Sequence, residues 1–349
     1  MPRFFEFSDT FAKFGFCTAT IANSFFIYIT FFYTKSLVGT YKLMILTFAT
    51  LGILFSGMEL LARPFLHNYN TGFMYFSLNT WLISKVSQRL MTAIITSYAG
   101  FAILLLSFTA VQFVFRYFSL TNSNWAKKFE GLGTLLWMLY PPLMGGIYAG
   151  SFWMLSDKDE FADRYFEEDI LRVYRLAIRE IPRMYIISYN PDGSFRWWNL
   201  TFLITGIVIL GLQYSIILYC GIQMRRKIQK KLENVSVAYR KLHRQFFRAL
   251  VLQTLAPTVI FIFPVSIVLL IPMLDIEISF QSGGIYALFS LYPPFDSIAF
   301  MLIVSEYRRV IKKGYRKLFT KKNKVPAEIT FSNMTASRVG NSQSEMNLN

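Results

Sequence analysis

The chain has 349 residues, of which 54% are hydrophobic, 18% aromatic and 16% charged, with a net charge of +16. A soluble domain carries about 25% charged residues, so a pair of ordinary soluble domains is excluded although the length would hold one. The basic residues sit between long apolar runs, which favours a membrane protein with a basic face over a nucleic-acid binder.

A helix needs about 20 mostly apolar residues to cross a hydrocarbon core roughly 30 Å thick. Arg3, Glu6, Asp9 and Lys13 interrupt the N-terminus, and no small-residue cleavage site follows a short apolar core. No cleavable signal peptide is expected, and the first span, 14–33, stays in the mature protein. Further spans are expected at 41–61, at 88–115 (the longest, and therefore tilted), and at 131–155, 200–224, 249–270 and 283–304. An eighth apolar piece, 72–84, is too short and reads as a re-entrant or interfacial segment. The expected fold class is an all-α membrane protein, a seven-transmembrane helix bundle occupying 1–319 with a disordered cytoplasmic tail at 320–349.

Orientation follows from Lys and Arg in the connections. The loop after the fifth span is dense in them, from Arg225, Arg226 and Lys227 through Arg240, Arg244 and Arg248. The tail adds Arg308, Arg309, Lys312, Lys313, Arg316 and Lys317. All fall on one side of an alternating bundle, which places the N-terminus outside and the C-terminus in the cytosol. The opposite side carries a mixed-charge loop, 156–198.

That loop has internal order. Phe161, Tyr165, Ile170, Val173, Tyr174 and Ile178 recur at near-helical spacing, and Glu168 with Arg172 is placed to pair at i,i+4. Residues 184–189 read as a strand, Asn190-Pro-Asp-Gly193 as a turn and 194–198 as a return strand. A short helix and a hairpin over the bundle would form a lid. Beyond the last span, Tyr307, Val310, Ile311, Tyr315 and Leu318 share one face among basic residues, so 306–319 is expected to be an amphipathic helix on membrane lipid at the inner leaflet. From Pro326 onward the composition is that of a disordered segment.

Within the spans, Pro141 and Pro142, Pro257 and Pro264, and Pro293 and Pro294 free carbonyls and kink their helices. Those of the sixth and seventh spans are plausible pivots. Gly145, Gly146 and Gly150 would let the fourth span pack closely. Asp296 is the most informative residue: a carboxylate in an apolar span costs about 2.5–3.5 kcal/mol on insertion scales, so it is expected to face the bundle interior in a polar network. Glu59, near a helix end, is expected to snorkel. Cys17 and Cys220 read as two buried thiols. The two histidines, His67 and His243, read as loop residues, too few for a zinc site or a proton chain. No nucleotide loop or nucleophile elbow occurs, so no enzymatic activity, cofactor or metal is expected. The Asn199 and Asn333 sequons are expected to go unused.

Several segments carry a family resemblance. The stretch 247–257, Phe-Arg-Ala-Leu-Val-Leu-Gln-Thr-Leu-Ala-Pro, followed by Phe263-Pro264, resembles the sixth helix of the nematode seven-transmembrane chemoreceptors of the Str class. These belong to the serpentine receptor superfamily and include the nematode diacetyl receptor. Leu291-Tyr-Pro-Pro-Phe-Asp296 with Ile303-Val-Ser-Glu-Tyr-Arg308 resembles that family's seventh-helix pattern, with Ser297 where proline is usual. Phe113-Val-Phe-Arg-Tyr117 resembles its third-helix end, with Phe115 where tyrosine is usual.

The resemblance implies a G-protein-coupled chemosensory receptor in the plasma membrane, in sensory cilia, detecting a small-molecule odorant and signalling to a heterotrimeric G protein. By depth and side-chain type, Thr92, Thr96, Thr205, Phe263, Tyr286 and Phe289 are the candidate pocket residues, and they suit a small neutral ligand. Arg116 and Tyr117 stand where the arginine motif of rhodopsin-like receptors stands. With Arg225, Arg226, Pro257, Pro264, Pro293, Asp296, Tyr307 and Arg308 they form the candidate coupling and switch set. The rival readings are an inverted seven-helix ligand-gated channel, with its N-terminus inside, and a transporter, for which no inverted repeat is visible.

Overall fold

The computed structural model describes residues 4–34, 39–121, 123–129, 131–156, 158–230, 237–274, 279–281 and 288–322. Tyr286, the Asn333 sequon and the tail beyond 322 lie outside them. The chain divides into two compact units, Met1–Val310 and Ile311–Asn349, and the architecture below is that of the first.

Long helices form a bundle: α1 (Phe4–Phe32), α2 (Thr40–Ala62), α3 (Gln88–Thr121), α4 (Leu132–Leu155), then a short external helix α5 (Glu160–Tyr174), α6 (Trp197–Lys230), α7 (Val237–Pro257), α8 (Phe263–Leu270) and α9 (Tyr292–Ile303); a further helix, α10 (Ser305–Lys322), begins in the first unit and continues into the second. A π-helical turn, Thr258–Ile262, joins α7 to α8. Five helical stretches among the described residues are long and apolar enough to cross a membrane: Asp9–Phe32, Thr40–Ala62, Gln88–Thr121, Trp197–Ile228 and Arg240–Leu274. Their outward faces carry large apolar side chains such as Ile21, Leu54, Val208 and Val259, as a lipid-facing surface requires.

One end of the bundle is capped by a sheet of four antiparallel strands in the order β3-β2-β1-β4: β1 (Pro64–Tyr69), β2 (Gly72–Ser77), β3 (Arg183–Ile187) and β4 (Ser279–Phe280). This corrects the reading of 72–84. Gly72–Ser77 is a strand paired in register with Pro64–Tyr69, followed by one helical turn, Thr80–Ile83. The physical reason is that the sheet is buried on both faces. Along β2 and β3, Phe73, Tyr75, Met184 and Ile186 pack on the bundle, while Met74, Phe76, Tyr185 and Ile187 pack on α5. A strand covered twice loses its polar alternation and resembles a short apolar helix.

The outer loop is corrected in three further details. Its helix is α5, as the spacing of its apolar residues suggests, with Asp159 accepting from the Ala162 N–H as N-cap. Arg172 pairs with Asp169 and not with Glu168. The strand at 183–187 pairs with β2, and the expected return strand shrinks to a single bridge, Tyr189 to Phe195, because α6 already begins at Trp197. The Asn190–Gly193 turn is present, with Gly193 at φ 79.

The α5–sheet unit is held by buried polar groups that the sequence did not reveal. Arg183 donates to Asp163 at 2.6 and 2.8 Å, and the Tyr185 hydroxyl donates to the same carboxylate at 2.7 Å. His67, far from being a loop residue, lies in β1 and is 1% exposed. Its Nε2 stands 2.5 Å from Asp169 Oδ2 and its Nδ1 lies 3.1 Å from the Tyr174 hydroxyl. A neutral imidazole fits, giving its proton to Asp169 and accepting from Tyr174. Ser279 of β4 also donates to Asp169, at 3.2 Å. His243 likewise lies in a helix, α7.

This cluster makes stability depend on pH. Burial holds the His67 imidazole below its usual 6.5; the hydrogen bond and charge of Asp169 oppose this, and the charge of Arg172 adds to it. A histidine lowered in the folded state contributes stability that is complete above 6.5 and declines as pH falls from there towards its folded value. Asp163 titrates elsewhere. Burial alone would raise it, but the Arg183 and Tyr185 hydrogen bonds and the Arg183 charge hold it below 3.8, so its contribution fades only in stronger acid. Amide exchange in β1 and α5, corrected for intrinsic rates, should therefore quicken between pH 7.5 and 5.5 and lose that dependence in His67→Gln. An unchanged pH dependence in the variant would remove His67 as its source.

The helices of the bundle alternate in direction between the sheet end and the opposite end. At the sheet end Asp9 of α1 meets Arg63 at 3.5 Å, Gln88 of α3 donates to the Arg179 carbonyl, Asn199 of α6 bridges Ile187 and Leu155, and Asn68 reaches the Val268 carbonyl. At the opposite end Tyr41, Arg116, Phe246 and Tyr307 gather. Asn199, the first sequon's asparagine, is 4% exposed and occupied by these internal bonds.

Candidate functional site

Between the two ends a cavity of about 150 Å³ opens among α2, α3, α4, α6, the α7–α8 segment and α9. An apolar cavity near 150 Å³ is large enough for a benzene-sized guest. Its floor and walls include Tyr98, Ala102 and Thr109 of α3, Gln253 and Pro257 of α7, and Phe289. Ile262, the last residue of the π-helical turn, also lines it, so an occupant would touch the irregular segment of that helix. Single π turns of this kind recur at functional sites.

Most of the candidate pocket residues lie nearer the capped end than this cavity does. Of the six candidates, Phe289 lines the cavity. Tyr286 lies outside the described residues. Thr92, Thr96 and Thr205 do not line it, and each gives its hydroxyl proton to a carbonyl of its own helix. Phe263 is 64% exposed and turns outward. The sheet accounts for the displacement: Tyr75 of β2 is buried against α3 and donates to the Ile95 carbonyl at 3.2 Å, filling the level of Thr92 and Thr96. The free space lies deeper, from Tyr98 to Thr109.

Around the cavity, separate pairs of buried polar groups join the helices of the bundle. Gln253, 7% exposed, donates from Nε2 to Asp296 Oδ2 at 2.9 Å. Ser297 donates to Asn23 Oδ1 at 2.5 Å, and Asn23 donates to the Ala19 carbonyl. Glu59 accepts from the Ser290 hydroxyl and is 4% exposed, so it is an interior residue and does not snorkel. Ser290 in turn lies against Gly15, where an added Cβ would meet Ser290 Cβ at 2.5 Å. The polar residues therefore tie α9 to α1, α2 and α7, as buried polar groups in a membrane interior must be tied. Gln253 was legible as a lone amide in an apolar run; its importance was not, because that depends on α9 standing opposite.

The end away from the sheet holds part of the switch set, Arg116, Tyr117, Arg225, Arg226, Tyr307 and Arg308. The Arg116 guanidinium stacks 3.2 Å from the Tyr41 ring centroid and 4.3 Å from that of Phe246, joining α2, α3 and α7. Tyr117 faces Tyr219 of α6. Tyr307 is fully buried, bonded to Thr30 at 2.8 Å and packed on Phe26 and Phe300. Arg225, Arg226 and Arg308 are exposed. Pro293 and Pro294 open α9 at its first turn, where a missing N–H costs little, whereas Pro264 follows the π-helical turn inside the continuous helical stretch Arg240–Leu274.

Two smaller readings change. Cys220 is buried, but Cys17 is exposed on the outer face of α1. Of the three glycines in α4, Gly145 meets α3, whereas Gly146 and Gly150 have open space beside them. Among the described residues no group of His, Cys, Asp and Glu could hold a metal ion.

Comparison with known proteins gives a concordant result. The family model described as "Serpentine type 7TM GPCR chemoreceptor Str" matches residues 8–312. The chain is 39% identical over 309 residues to a Caenorhabditis elegans protein named G-protein coupled receptor str-33, covering 87% of this chain and 89% of that one. It is 25% identical over 291 residues to the C. elegans serpentine receptor class r-10, covering 82% and 84%. It is 24% identical over 315 residues to the C. elegans serpentine receptor class J-38, covering 85% and 90%.

Proposed function

Because the chain belongs to the serpentine type 7TM GPCR chemoreceptor Str family, we propose that it is a seven-span receptor in the plasma membrane of sensory cilia, with its N-terminus outside. It detects a small chemical ligand and activates a heterotrimeric G protein. The family is one of receptors, not of enzymes. The receptor body is 1–319, with the sheet and α5 as an external lid, α10 along the inner leaflet and 320–349 as a cytoplasmic tail.

The observation that carries this reading is the position of the cavity. Its wall includes Pro257 and Ile262, the two ends of the irregular turn in the α7–α8 helix, and its polar floor, Gln253, is bonded to Asp296 of α9. An occupant thus acts on the two helices whose far ends reach the Arg116 cluster through Phe246 and Phe300. It shifts the equilibrium by its differential affinity for the two arrangements, and the far end opens to expose Arg116, Tyr117, Arg225, Arg226 and Tyr307. The basic residues beyond α6 and in α10 support a cytosolic setting for that end.

Two measurements test the proposal. With one epitope at Met1 and another after Asn349, intact cells should bind antibody to the first alone, and permeabilised cells to both. Labelling of the second alone would replace the G-protein reading with the inverted channel. In a receptor of established ligand response, Phe289→Leu should shift the half-maximal concentration roughly tenfold, the cost of about 1.4 kcal/mol of lost contact, while Phe263→Leu, on the outward face, leaves it unchanged. Equal insensitivity of both would remove the cavity as the ligand site.

A further inference from the structure

The cavity is closed towards the sheet and thinly walled towards the lipid. In the layer over the bundle Phe73, Tyr75, Met184 and Ile186 are at most 2% exposed, which is close packing. On the α2 and α3 side the lining residues Phe55, Tyr98, Leu105 and Thr109 are buried as well. The wall between α6 and α8 differs. Its lining is Leu210 from α6 and Ile262, Val265 and Ser266 from the other helix, and all four are half-buried.

These two helices meet at one level and part beyond it. Tyr214 donates its hydroxyl to that of Thr258 at 2.6 Å, the Thr258 proton going to the Thr254 carbonyl. Residues seven apart share a helix face, so Ile207 stands two turns further out on the line of α6 that carries Tyr214, yet it is 55% exposed. Gly211, between them, has nothing within 4 Å of an added Cβ among the described residues. In α8 Val268 is the one buried residue. That span is tied to its neighbours at Thr258 by Tyr214 and at the Val268 carbonyl by Asn68, at 2.9 Å. Between the two ties lie the π-helical turn and Pro264. Proline lacks the N–H that a carbonyl one turn back would use, so the helix can bend there.

Resting on the reading of this cavity as the ligand site, we infer that its ligands are apolar compounds dissolved in the bilayer, which enter and leave through a portal between α6 and α8, bounded by Ile207 and Gly211 on one side and Ile262 and Ser266 on the other. The Tyr214–Thr258 hydrogen bond is its inner sill. Ser266 puts no free donor in the way, because its hydroxyl proton goes to the Ile262 carbonyl at 2.7 Å. A benzene-sized guest passing from hydrocarbon into an apolar cavity sheds no water, so the barrier is the parting of two helices. A charged or strongly hydrated compound would first have to lose its water to the lipid, which excludes it as a ligand by this route.

The test is fluorine NMR of fluorobenzene with the full-length receptor in lipid nanodiscs, with no signalling readout. Exchange between the lipid-dissolved and receptor-bound signals gives the entry and exit rates, and their ratio gives the affinity. Ala102→Phe, which fills the cavity, supplies the background. Gly211 does not line the cavity, so Gly211→Phe narrows the portal alone. Leu212→Phe is the control: Leu212 is 46% exposed and, two residues from Tyr214, lies on the far side of α6. In Gly211→Phe entry and exit are expected to slow together, each roughly tenfold, with the affinity unchanged, while Leu212→Phe keeps native rates. If Gly211→Phe does not fold, Ile207→Trp takes its place. Native rates in the portal variant, or equal slowing in Leu212→Phe, overturn the portal and leave the cavity as the ligand site. A change in one rate alone, with altered affinity, means that the added ring reshapes the cavity, and overturns the portal too. Failure of fluorobenzene to exceed the Ala102→Phe background overturns the cavity as a ligand site, and the inference with it.

Discussion

Gly145→Val is expected to abolish delivery of the receptor to the cell surface, while Gly146→Val and Gly150→Val in the same helix leave it near native. A Cβ at Gly145 would stand 2.6 Å from the Gly100 carbonyl oxygen and 3.1 Å from Leu104 Cβ; one at Gly100 would stand 2.5 Å from the Gly145 oxygen and 2.7 Å from Ala149 Cβ. The obstacle is backbone on both sides, so no rotamer change relieves it, and α3 and α4 must move apart. A ring contact nearby resists that movement: Phe129, in the α3–α4 connection, lies 5.3 and 6.4 Å from Phe115 and Phe118 of α3 and stacks on Trp137 of α4 at 4.5 Å. Overpacking of this kind costs about 1–3 kcal/mol and sometimes more, against a total stability of about 5–15 kcal/mol. Membrane helices rely on such small-residue contacts because lipid supplies no hydrophobic drive between them. Gly146 and Gly150 have nothing within 4 Å of an added Cβ. Surface antibody binding, normalised to total protein, separates the cases; a Gly145→Val receptor at native surface level would mean that the crossing can relax.

The contrast among these glycines shows what the sequence could disclose. The apolar helices were readable because lipid demands about 20 apolar residues for each span and the outward faces answer that demand directly. Asp296 was readable as an interior residue because its cost in lipid leaves it nowhere else to go. The sheet was not readable. Residues 72–77 are apolar on both faces, and their partners lie before them at 64–69 and far beyond them at 183–187. Short apolar runs do not distinguish strand from helix by periodicity alone. The same strand separates the candidate residues Thr92 and Thr96 from the cavity, because Tyr75 lies against Ile95 at their level. His67 failed for the same reason. Its partners Asp169 and Tyr174 meet it only once α5 lies on the sheet, and nothing local marks a histidine that will be buried.

Phe246→Leu is expected to raise ligand-independent G-protein activation, and Arg116→Ala to silence the receptor. The Arg116 guanidinium lies between Tyr41 and Phe246, at 3.2 and 4.3 Å from their ring centroids, while Tyr41 and Phe246 themselves meet at 5.4 Å. Phe246 also packs on Phe300 of α9 at 6.1 Å, so one cation and two rings bind the ends of α2, α3, α7 and α9 into a single clamp. A desolvated cation over an aromatic face contributes about 2 kcal/mol. Leucine keeps most of the apolar volume and removes the ring, so the loss falls mainly on the clamp and less on the core. Released from the closed arrangement alone, about 2 kcal/mol shifts the balance between closed and open roughly thirtyfold. Tyr41→Leu should act in the same direction, and the double variant should gain less than the sum, since both rings hold one guanidinium. Arg116→Ala releases the clamp too, but it removes the charge that the opened end would present. High basal activity in Phe246→Leu with silence in Arg116→Ala would give the arginine both parts. A Phe246→Leu receptor that reaches the surface, answers its ligand and stays quiet without it would show that the closed state is held elsewhere, with the Gln253–Asp296 contact at 2.9 Å the next joint to break.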